Sequence, residues 1–167
     1  PESDVDTKLK GLIPNGAPID LGLLASPMGV LVSLTTKSGG TRPVSDEMLA
    51  SLAQEVRTRL KDSLFAEGRE TMEEVVGRLL DGRKLTVAVA ESCTGGLIGH
   101  RLTQVPGSSA YVDRGAICYS NRSKSEMLGV PAELIAKHGA VSPEVAAAMA
   151  RGIRERAGVS VGLAEGK

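Results

Sequence analysis

Short apolar runs alternate with amphipathic stretches along the chain, and this alternation predicts strands and helices in turn. In the first part, residues 28–36 are rich in apolar and β-branched side chains, which is typical of a strand. Ser45 has the character of a helix N-cap, and apolar residues follow it at helical spacing as far as Leu60. The glycines and prolines of residues 1–25 predict only short pieces of regular structure there. We therefore predict a small α/β domain over residues 1–70.

The second part of the chain has a clearer periodicity. Thr71 and Glu74 have the spacing of a capping box at the start of an amphipathic helix. Residues 85–90 are nearly all apolar, which is typical of a strand buried on both faces of a parallel sheet. Strands that alternate with helices predict an α/β domain over residues 71–167. The further predicted elements are a helix over 95–104, a strand over 110–119, a helix over 123–128, a helix from Ser142 to about Arg156 and a strand from residue 159 to 164.

Composition and charge argue against several classes of protein. The 167 residues include 20 basic and 20 acidic side chains, and a net charge of zero gives no overall attraction to nucleic acid or to an anionic membrane. Phe65, Tyr111 and Tyr119 are the only aromatic residues, which is too few to stack the bases of a single strand. The two cysteines make no disulfide framework, no Cys/His spacing suits a metal, and no apolar run approaches the ~20 residues of a membrane span. We therefore expect a cytoplasmic chain with an aliphatic core and no metal.

The turn after the first predicted strand of the second domain offers chemically active side chains. Ser92, Cys93 and Thr94 lie there, and Gly95 and Gly96 follow, where the lack of a side chain lets a ligand approach the backbone. Functional groups in open α/β sheets gather beyond the carboxyl ends of strands. The start of the next helix would supply free N–H groups for a phosphate or a developing oxyanion. From local sequence alone, Ser92 or Thr94 could equally serve only to cap that helix.

A second polar cluster, Tyr119 to Lys124, follows the next predicted strand. A serine nucleophile needs a base, and a lysine serves as one when burial lowers its pKa. Because both clusters follow strands, we expect Ser92 and Lys124 to reach the same sheet edge. The alternative is that Lys124 is an ordinary solvated helix residue, and Tyr119 by itself is more typical of packing than of catalysis. Glu91 also affects whether Lys124 can act as a base. A carboxylate paired with this lysine would favour the ammonium form and weaken that role.

Other candidate groups are weaker. His100 and His138 have no partner at metal-ligand spacing, and a Cys93 nucleophile that uses one of them is a minor alternative. Residues 96–99 match the GxxG form of a nucleic-acid-binding KH loop. They are apolar and lie inside a predicted helix, so we interpret them as a close helix-packing motif. Cys118, within an apolar strand, is typical of a small buried residue.

Five motifs follow one another in the second domain. They are Ala90 to Gly96 (AESCTGG), Val105 to Ser109 (VPGSS), Tyr119 to Asn121 (YSN) with Lys124, Leu128 to Pro131 (LGVP) and His138 to Ser142 (HGAVS). In order and spacing they resemble the CinA family, and in particular the C-terminal nicotinamide-nucleotide amidase domain of the competence/damage-inducible proteins. This resemblance covers about residues 71–164. Residues 1–70 are similar, more loosely, to the KH-like middle domain of the same proteins.

The resemblance implies a fold and an activity. The fold is a small KH-like α/β domain over residues 1–70, followed by a three-layer α/β amidase domain with a mostly parallel sheet over residues 71–167. Because the family continues after a third strand with a Gly-rich loop, more strands and a final helix, we expect the amidase domain to be truncated at its C-terminus. The implied activity is hydrolysis of the carboxamide of nicotinamide mononucleotide to nicotinate mononucleotide and ammonia, in pyridine nucleotide salvage, without a cofactor or a metal.

The resemblance also assigns roles to residues. By position, Ser92 is the nucleophile, Lys124 is its base and Tyr119 is a neighbour that orients or relays. The residues that the resemblance places around the substrate are Glu91, Cys93, Thr94, Gly95, Gly96 and Asn121. The partner is a small nucleotide substrate, and we expect a homo-oligomer, a dimer, with no membrane or nucleic-acid partner.

Two functions of other classes compete with the amidase. The first is a non-catalytic nucleotide-binding or assembly module of a competence/damage-inducible protein. The second is nucleic-acid binding through residues 1–70, which the neutral charge, the few aromatic residues and the apolar GxxG stretch disfavour.

Overall fold

The computed structural model describes residues 1–37 and 44–166, and these fold as two compact units. One unit spans Pro1–Arg69, and the other begins at Glu70. Lys167, the last residue of the predicted second domain, lies outside the described residues. None of the described helices is long and apolar enough to cross a lipid bilayer.

In its described residues, the first unit is built on a β-hairpin and two α-helices. Its elements are helix α1 (Glu2–Leu9), strands β1 (Ile19–Ser26) and β2 (Gly29–Thr36), which pair antiparallel, and helix α2 (Asp46–Leu60). Ser45 caps α2, since its Oγ accepts a hydrogen bond from the Met48 N–H at 3.2 Å. The strand predicted over 28–36 and the N-cap predicted at Ser45 are therefore confirmed.

Residues 1–25 hold more regular structure than predicted, because both α1 and β1 fall there. The glycines of this segment do not break the strand. A Cβ on Gly22 of β1 would lie 2.5 Å from the Ser33 Oγ of β2, so the glycine allows a close cross-strand contact. Leu9 at the end of α1 is buried with Leu12 and Val56 in the core of this unit, and that burial stabilises the short helix.

The second unit is a parallel sheet covered by helices. Up to Gly166, where the described residues of this unit end, three strands lie in the order β4-β3-β5 and all run parallel. The prediction that the apolar run 85–90 is an interior strand of a parallel sheet is therefore confirmed. Its elements are α3 (Met72–Gly82), β3 (Val87–Glu91), α4 (Leu97–Thr103), β4 (Val112–Ile117), α5 (Asn121–Leu128), α6 (Ala132–His138), α7 (Pro143–Ala157) and β5 (Val161–Ala164).

Both faces of the central strand β3 are covered. Ala88 and Ala90 pack into a cluster with side chains of α5, α6 and α7, whereas Val87 and Val89 pack with side chains of α3 and α4. The alternation follows from the period of two residues in a strand. It confirms the predicted three-layer α/β arrangement.

The helix starts of the second unit follow the polar signals in the sequence. The capping box is present, with Thr71 Oγ1 accepting from the Glu74 N–H at 3.3 Å and a Glu74 carboxylate oxygen accepting from the Thr71 N–H at 2.7 Å. Ser142 Oγ accepts from the N–H of Val145 at 3.3 Å, as expected for the N-cap of α7. The helix predicted over 95–104 is shorter, because Gly95 and Gly96 have φ angles of +61° and +104° and form a turn before it.

Candidate active site

The three strands of the second unit end at the same edge of the sheet, and polar residues follow each of them. Ser92 follows β3, the stretch 118–124 follows β4, and Glu165 follows β5. Because the strands are parallel, their carboxyl ends meet there. This edge holds the candidate active site.

Lys124 reaches the site from α5. Ser120 caps this helix, since its Oγ accepts from the Ser123 N–H at 3.1 Å, and the helix therefore begins at Asn121, two residues earlier than predicted. Only 2% of Lys124 is exposed. The alternative interpretation of Lys124 as a solvated helix residue is wrong.

The Lys124 amine has three close oxygen neighbours. Its Nζ lies 2.9 Å from Ser92 Oγ, 3.0 Å from the carbonyl oxygen of Cys118 and 3.4 Å from the carbonyl oxygen of Tyr119. Across residues 1–37 and 44–166, no carboxylate forms an ion pair with this amine. The shared site expected for Ser92 and Lys124 is present.

Glu91 does not pair with Lys124, although the sequence left that possibility open. Its carboxylate is 2% exposed and accepts hydrogen bonds from the Thr94 hydroxyl at 2.7 Å and from the main-chain N–H groups of Gly96, Ile98 and Gly99 at 3.0, 3.0 and 2.7 Å. Burial raises the pKa of Glu91, but these hydrogen bonds outweigh it and hold the pKa below its usual range. Glu91 caps the start of α4, which differs from the substrate contact that the resemblance implies.

Glu165, which the sequence reasoning did not single out, lies beside the nucleophile. Its Oε1 accepts from the main-chain N–H groups of Ser92 and Thr94, the latter at 3.1 Å, and lies 2.8 Å from Thr94 Oγ1. Its Oε2 accepts from the Cys93 thiol at 3.0 Å. We call these donors of residues 92–94 the cradle. The strand-end rule that pointed to Ser92 and Lys124 would also have pointed to Glu165, had it been applied to the third strand.

The remaining predicted residues have varied positions. The Gly95 N–H donates to the Ser92 carbonyl at 3.3 Å and the Gly96 N–H donates to Glu91, so neither of these main-chain donors is directed to a ligand.

The phenol of Tyr119 is largely exposed, at 77% for the residue, and the contact of Tyr119 with Lys124 is through its main-chain carbonyl. Asn121 is exposed at the start of α5. Cys118 is fully buried, as predicted, and this burial raises the pKa of its thiol.

A groove of about 440 Å³ adjoins the site between α4 and β4. It borders the candidate active site at Glu91, Gly96 and Ile117, and it extends along β4 past His100 and Arg114. The Ser92–Lys124 pair lies outside its lining.

Two family models match the chain, one on each unit. The model described as the CinA C-terminal domain matches residues 69–166, and the model described as the damage-inducible protein CinA KH domain matches residues 1–66.

Similar proteins carry related names. A CinA-like protein of Citrifermentans bemidjiense is 47% identical over 163 residues, which cover 97% of this chain and 38% of that protein. The crystal structure of the competence/damage inducible protein CihA from Agrobacterium tumefaciens is 43% identical, with a TM-score of 0.50 over 53% of this chain and 53% of that chain. A structure of a competence-damaged protein (CinA) superfamily protein from Escherichia coli is 28% identical, with a TM-score of 0.51 over 60% of this chain and 61% of that one. The chain spans about two fifths of the length of the curated relatives that it matches.

Proposed function

The chain belongs to the CinA family, and from that premise we propose that its second domain hydrolyses the carboxamide of nicotinamide mononucleotide to nicotinate mononucleotide and ammonia. The substrate is the one implied by the resemblance of residues 71–164. The observation that carries the proposal is the 2.9 Å separation of Lys124 Nζ and Ser92 Oγ. A buried amine beside a serine hydroxyl at a strand end is the arrangement that a Ser–Lys amidase requires.

The surroundings of Lys124 suit a neutral amine that acts as base. A neutral amine has two N–H donors and one lone pair. The carbonyl oxygens of Cys118 and Tyr119 accept the two donors, and the lone pair is then directed at the Ser92 hydroxyl. Among the described residues no carboxylate forms an ion pair with this amine, so the Ser92 hydroxyl and the two carbonyl oxygens are its polar contacts there.

The proposed reaction proceeds in two steps. Ser92 Oγ attacks the carboxamide carbon while its proton passes to Lys124 Nζ, and the C–N bond then breaks as that proton passes to the leaving ammonia. Water attacks the resulting ester while one of its protons passes to Lys124 Nζ, the C–Oγ bond then breaks as that proton passes to Ser92 Oγ, and the acid product leaves as a carboxylate after losing its proton to solvent. The N–H groups of Ser92 and Thr94 are placed to stabilise the oxyanion that forms in each step, once the cradle is open to the substrate.

Ammonia release from nicotinamide mononucleotide tests the proposal. Ser92→Ala removes the nucleophile, and we expect release to fall by at least about 100-fold while thermal unfolding stays close to that of the unchanged chain. Ser51→Ala, at an exposed position of α2, is the matched control and should keep full activity. Survival of activity in Ser92→Ala together with its loss in Cys93→Ala would transfer the role to the thiol. Binding of the nucleotide without any ammonia release would favour the non-catalytic module.

A further inference from the structure

We infer that the cradle is a carboxylate-binding site, which Glu165 fills from within the chain and which a small free carboxylate occupies when Glu165 leaves. The inference rests on the proposed function only for its biological meaning. The binding itself follows from the contacts of residues 92–94.

The donors of the cradle converge on one carboxylate. Two main-chain N–H groups and the Cys93 thiol donate to Glu165, and the Thr94 hydroxyl lies within hydrogen-bond distance. Burial raises the pKa of Glu165, but the hydrogen bonds outweigh it and lower the pKa to about 2. The cradle therefore favours an ionised carboxylate over a neutral one at all physiological pH values.

The cradle is distinct from the start of α4. The main-chain N–H groups there, those of Gly96, Ile98 and Gly99, are occupied by Glu91. The groups that hold Glu165 belong to the turn between β3 and α4, next to the nucleophile. A ligand in the cradle would therefore contact the same residues that the proposed reaction uses.

The Thr94 hydroxyl shows why Glu165 is replaceable. Thr94 Oγ1 lies 2.7 Å from an oxygen of Glu91 and 2.8 Å from an oxygen of Glu165, but it has only one proton to donate. One of the two contacts must bring oxygen lone pairs together, which weakens the hold on one carboxylate. Each carboxylate has three further donors, but Glu91 is buried at the end of β3, whereas Glu165 is partly exposed beyond the end of β5. Glu165 is therefore the carboxylate that can leave.

In the proposed reaction, the exchange of Glu165 for a free carboxylate affects how the substrate and the product bind. Hydrolysis of a carboxamide yields a carboxylate at the carbon that Ser92 attacks, so the product and Glu165 would compete for the same donors. An internal occupant lowers the apparent affinity of an external ligand in proportion to the fraction of molecules in which the site is open. Glu165 would thus weaken both substrate binding and product retention.

Acetate is the simplest probe of the cradle, and amide NMR of the whole chain reports on it directly. Glu165→Ala should make the Ser92 and Thr94 amide signals shift saturably with added acetate, at concentrations at least about 10-fold lower than the unchanged chain needs. Sodium chloride at equal ionic strength should give no such shift. Glu133→Ala, which removes an exposed glutamate of α6, is the matched control and should respond like the unchanged chain.

A second variant controls for misfolding of Glu165→Ala. Glu165→Gln keeps the size of the side chain but removes its charge, and its acetate response should lie between those of the unchanged chain and Glu165→Ala. Two results would overturn the inference. One is an equal acetate response in the unchanged chain and in both variants, and the other is no shift of the Ser92 and Thr94 amide signals in folded Glu165→Ala. If the acetate response is as expected but no ammonia is released from nicotinamide mononucleotide, the proposed function fails and the carboxylate site stands.

Discussion

At the scale of single residues, the site depends on how the polar ends of two buried side chains are satisfied. Glu91 and Lys124 are each 2% exposed, and a buried polar group is costly unless hydrogen bonds compensate it. Glu91 accepts hydrogen bonds from the Thr94 hydroxyl in the turn that carries Ser92 and from three main-chain N–H groups at the start of α4, and Lys124 is close to three oxygens. Glu91 therefore fixes the turn, and the turn fixes the nucleophile relative to the amine.

Glu91→Gln tests the structural role of this carboxylate. Both of its oxygens accept main-chain N–H groups, so an amide would place an NH₂ donor against one of those N–H groups. We expect the free energy of unfolding to fall by about 2–4 kcal/mol, measured by urea denaturation. Glu133→Gln, on the exposed face of α6, should change it by less than about 0.5 kcal/mol. An equally small change for Glu91→Gln would show that the carboxylate does not hold the turn.

The sequence allowed part of this site to be predicted. Ser92 and Lys124 were identifiable because each follows a strand, and parallel strand ends meet at one edge. The role of Glu91 could not be identified in the same way. A carboxylate at a strand end can contact a lysine or the start of a helix, and the φ angles of Gly95 and Gly96 decide which of the two it reaches. Glu165 also follows a predicted strand, so the same rule places it at this edge, but its contacts with residues 92–94 depend on the pairing of β5 with β3, which no local pattern shows.

At the scale of elements, the packing of α3 on the sheet depends on a contact between a glycine and a tyrosine. A Cβ on Gly77 of α3 would overlap the phenol oxygen of Tyr111. Tyr111 is buried, and within the part of the chain that the structure describes its hydroxyl has no hydrogen-bond partner. Burial, together with the charge of Asp81, raises the pKa of this phenol, so the hydroxyl stays neutral. The ring contributes apolar packing, and the hydroxyl adds an unsatisfied polar group.

Tyr111→Phe should therefore stabilise the second unit. The change keeps the ring and removes a buried hydroxyl without a partner, and we expect a gain of about 0.5–1 kcal/mol in the free energy of unfolding. Gly77→Ala should destabilise the unchanged chain and should cost less in the Tyr111→Phe background, because the overlapping oxygen is gone. A double-mutant cycle by urea denaturation measures this coupling. A loss of stability in Tyr111→Phe, or additive effects of the two changes, would contradict the packing described.

Strands and helices were predicted correctly where the hydrophobic periodicity was strong, and a strand was missed where it contains a glycine. The buried run of β3 and the capped start of α7 at Ser142 have local signals that packing reinforces. β1 was missed because Gly22 resembles a strand breaker, yet in the hairpin this glycine lies against the Ser33 side chain of β2. The meaning of such a glycine depends on the partner strand, which lies outside any local window.

At the scale of the whole molecule, the two units have separate cores, and each matches a different family model. All the residues of the candidate site belong to the unit that begins at Glu70. The alternation of strands and helices was sufficient to predict the class of that unit, and the order of the five motifs was sufficient to predict the family. The pairing of Ser92 with Lys124 connects the fold of this unit to its proposed chemistry.

The most direct test of that connection is the rate of ammonia release from nicotinamide mononucleotide by Lys124→Arg. Arginine keeps a positive charge but does not give up a proton in proteins, so it cannot act as a base. We expect kcat to fall by at least about 100-fold, with nucleotide binding largely retained and with Lys137→Arg, at an exposed position of α6, fully active. Thermal unfolding of both variants establishes that the chain is folded. Turnover in Lys124→Arg above about a tenth of the unchanged rate would contradict the Ser–Lys mechanism and leave Lys124 an electrostatic role alone.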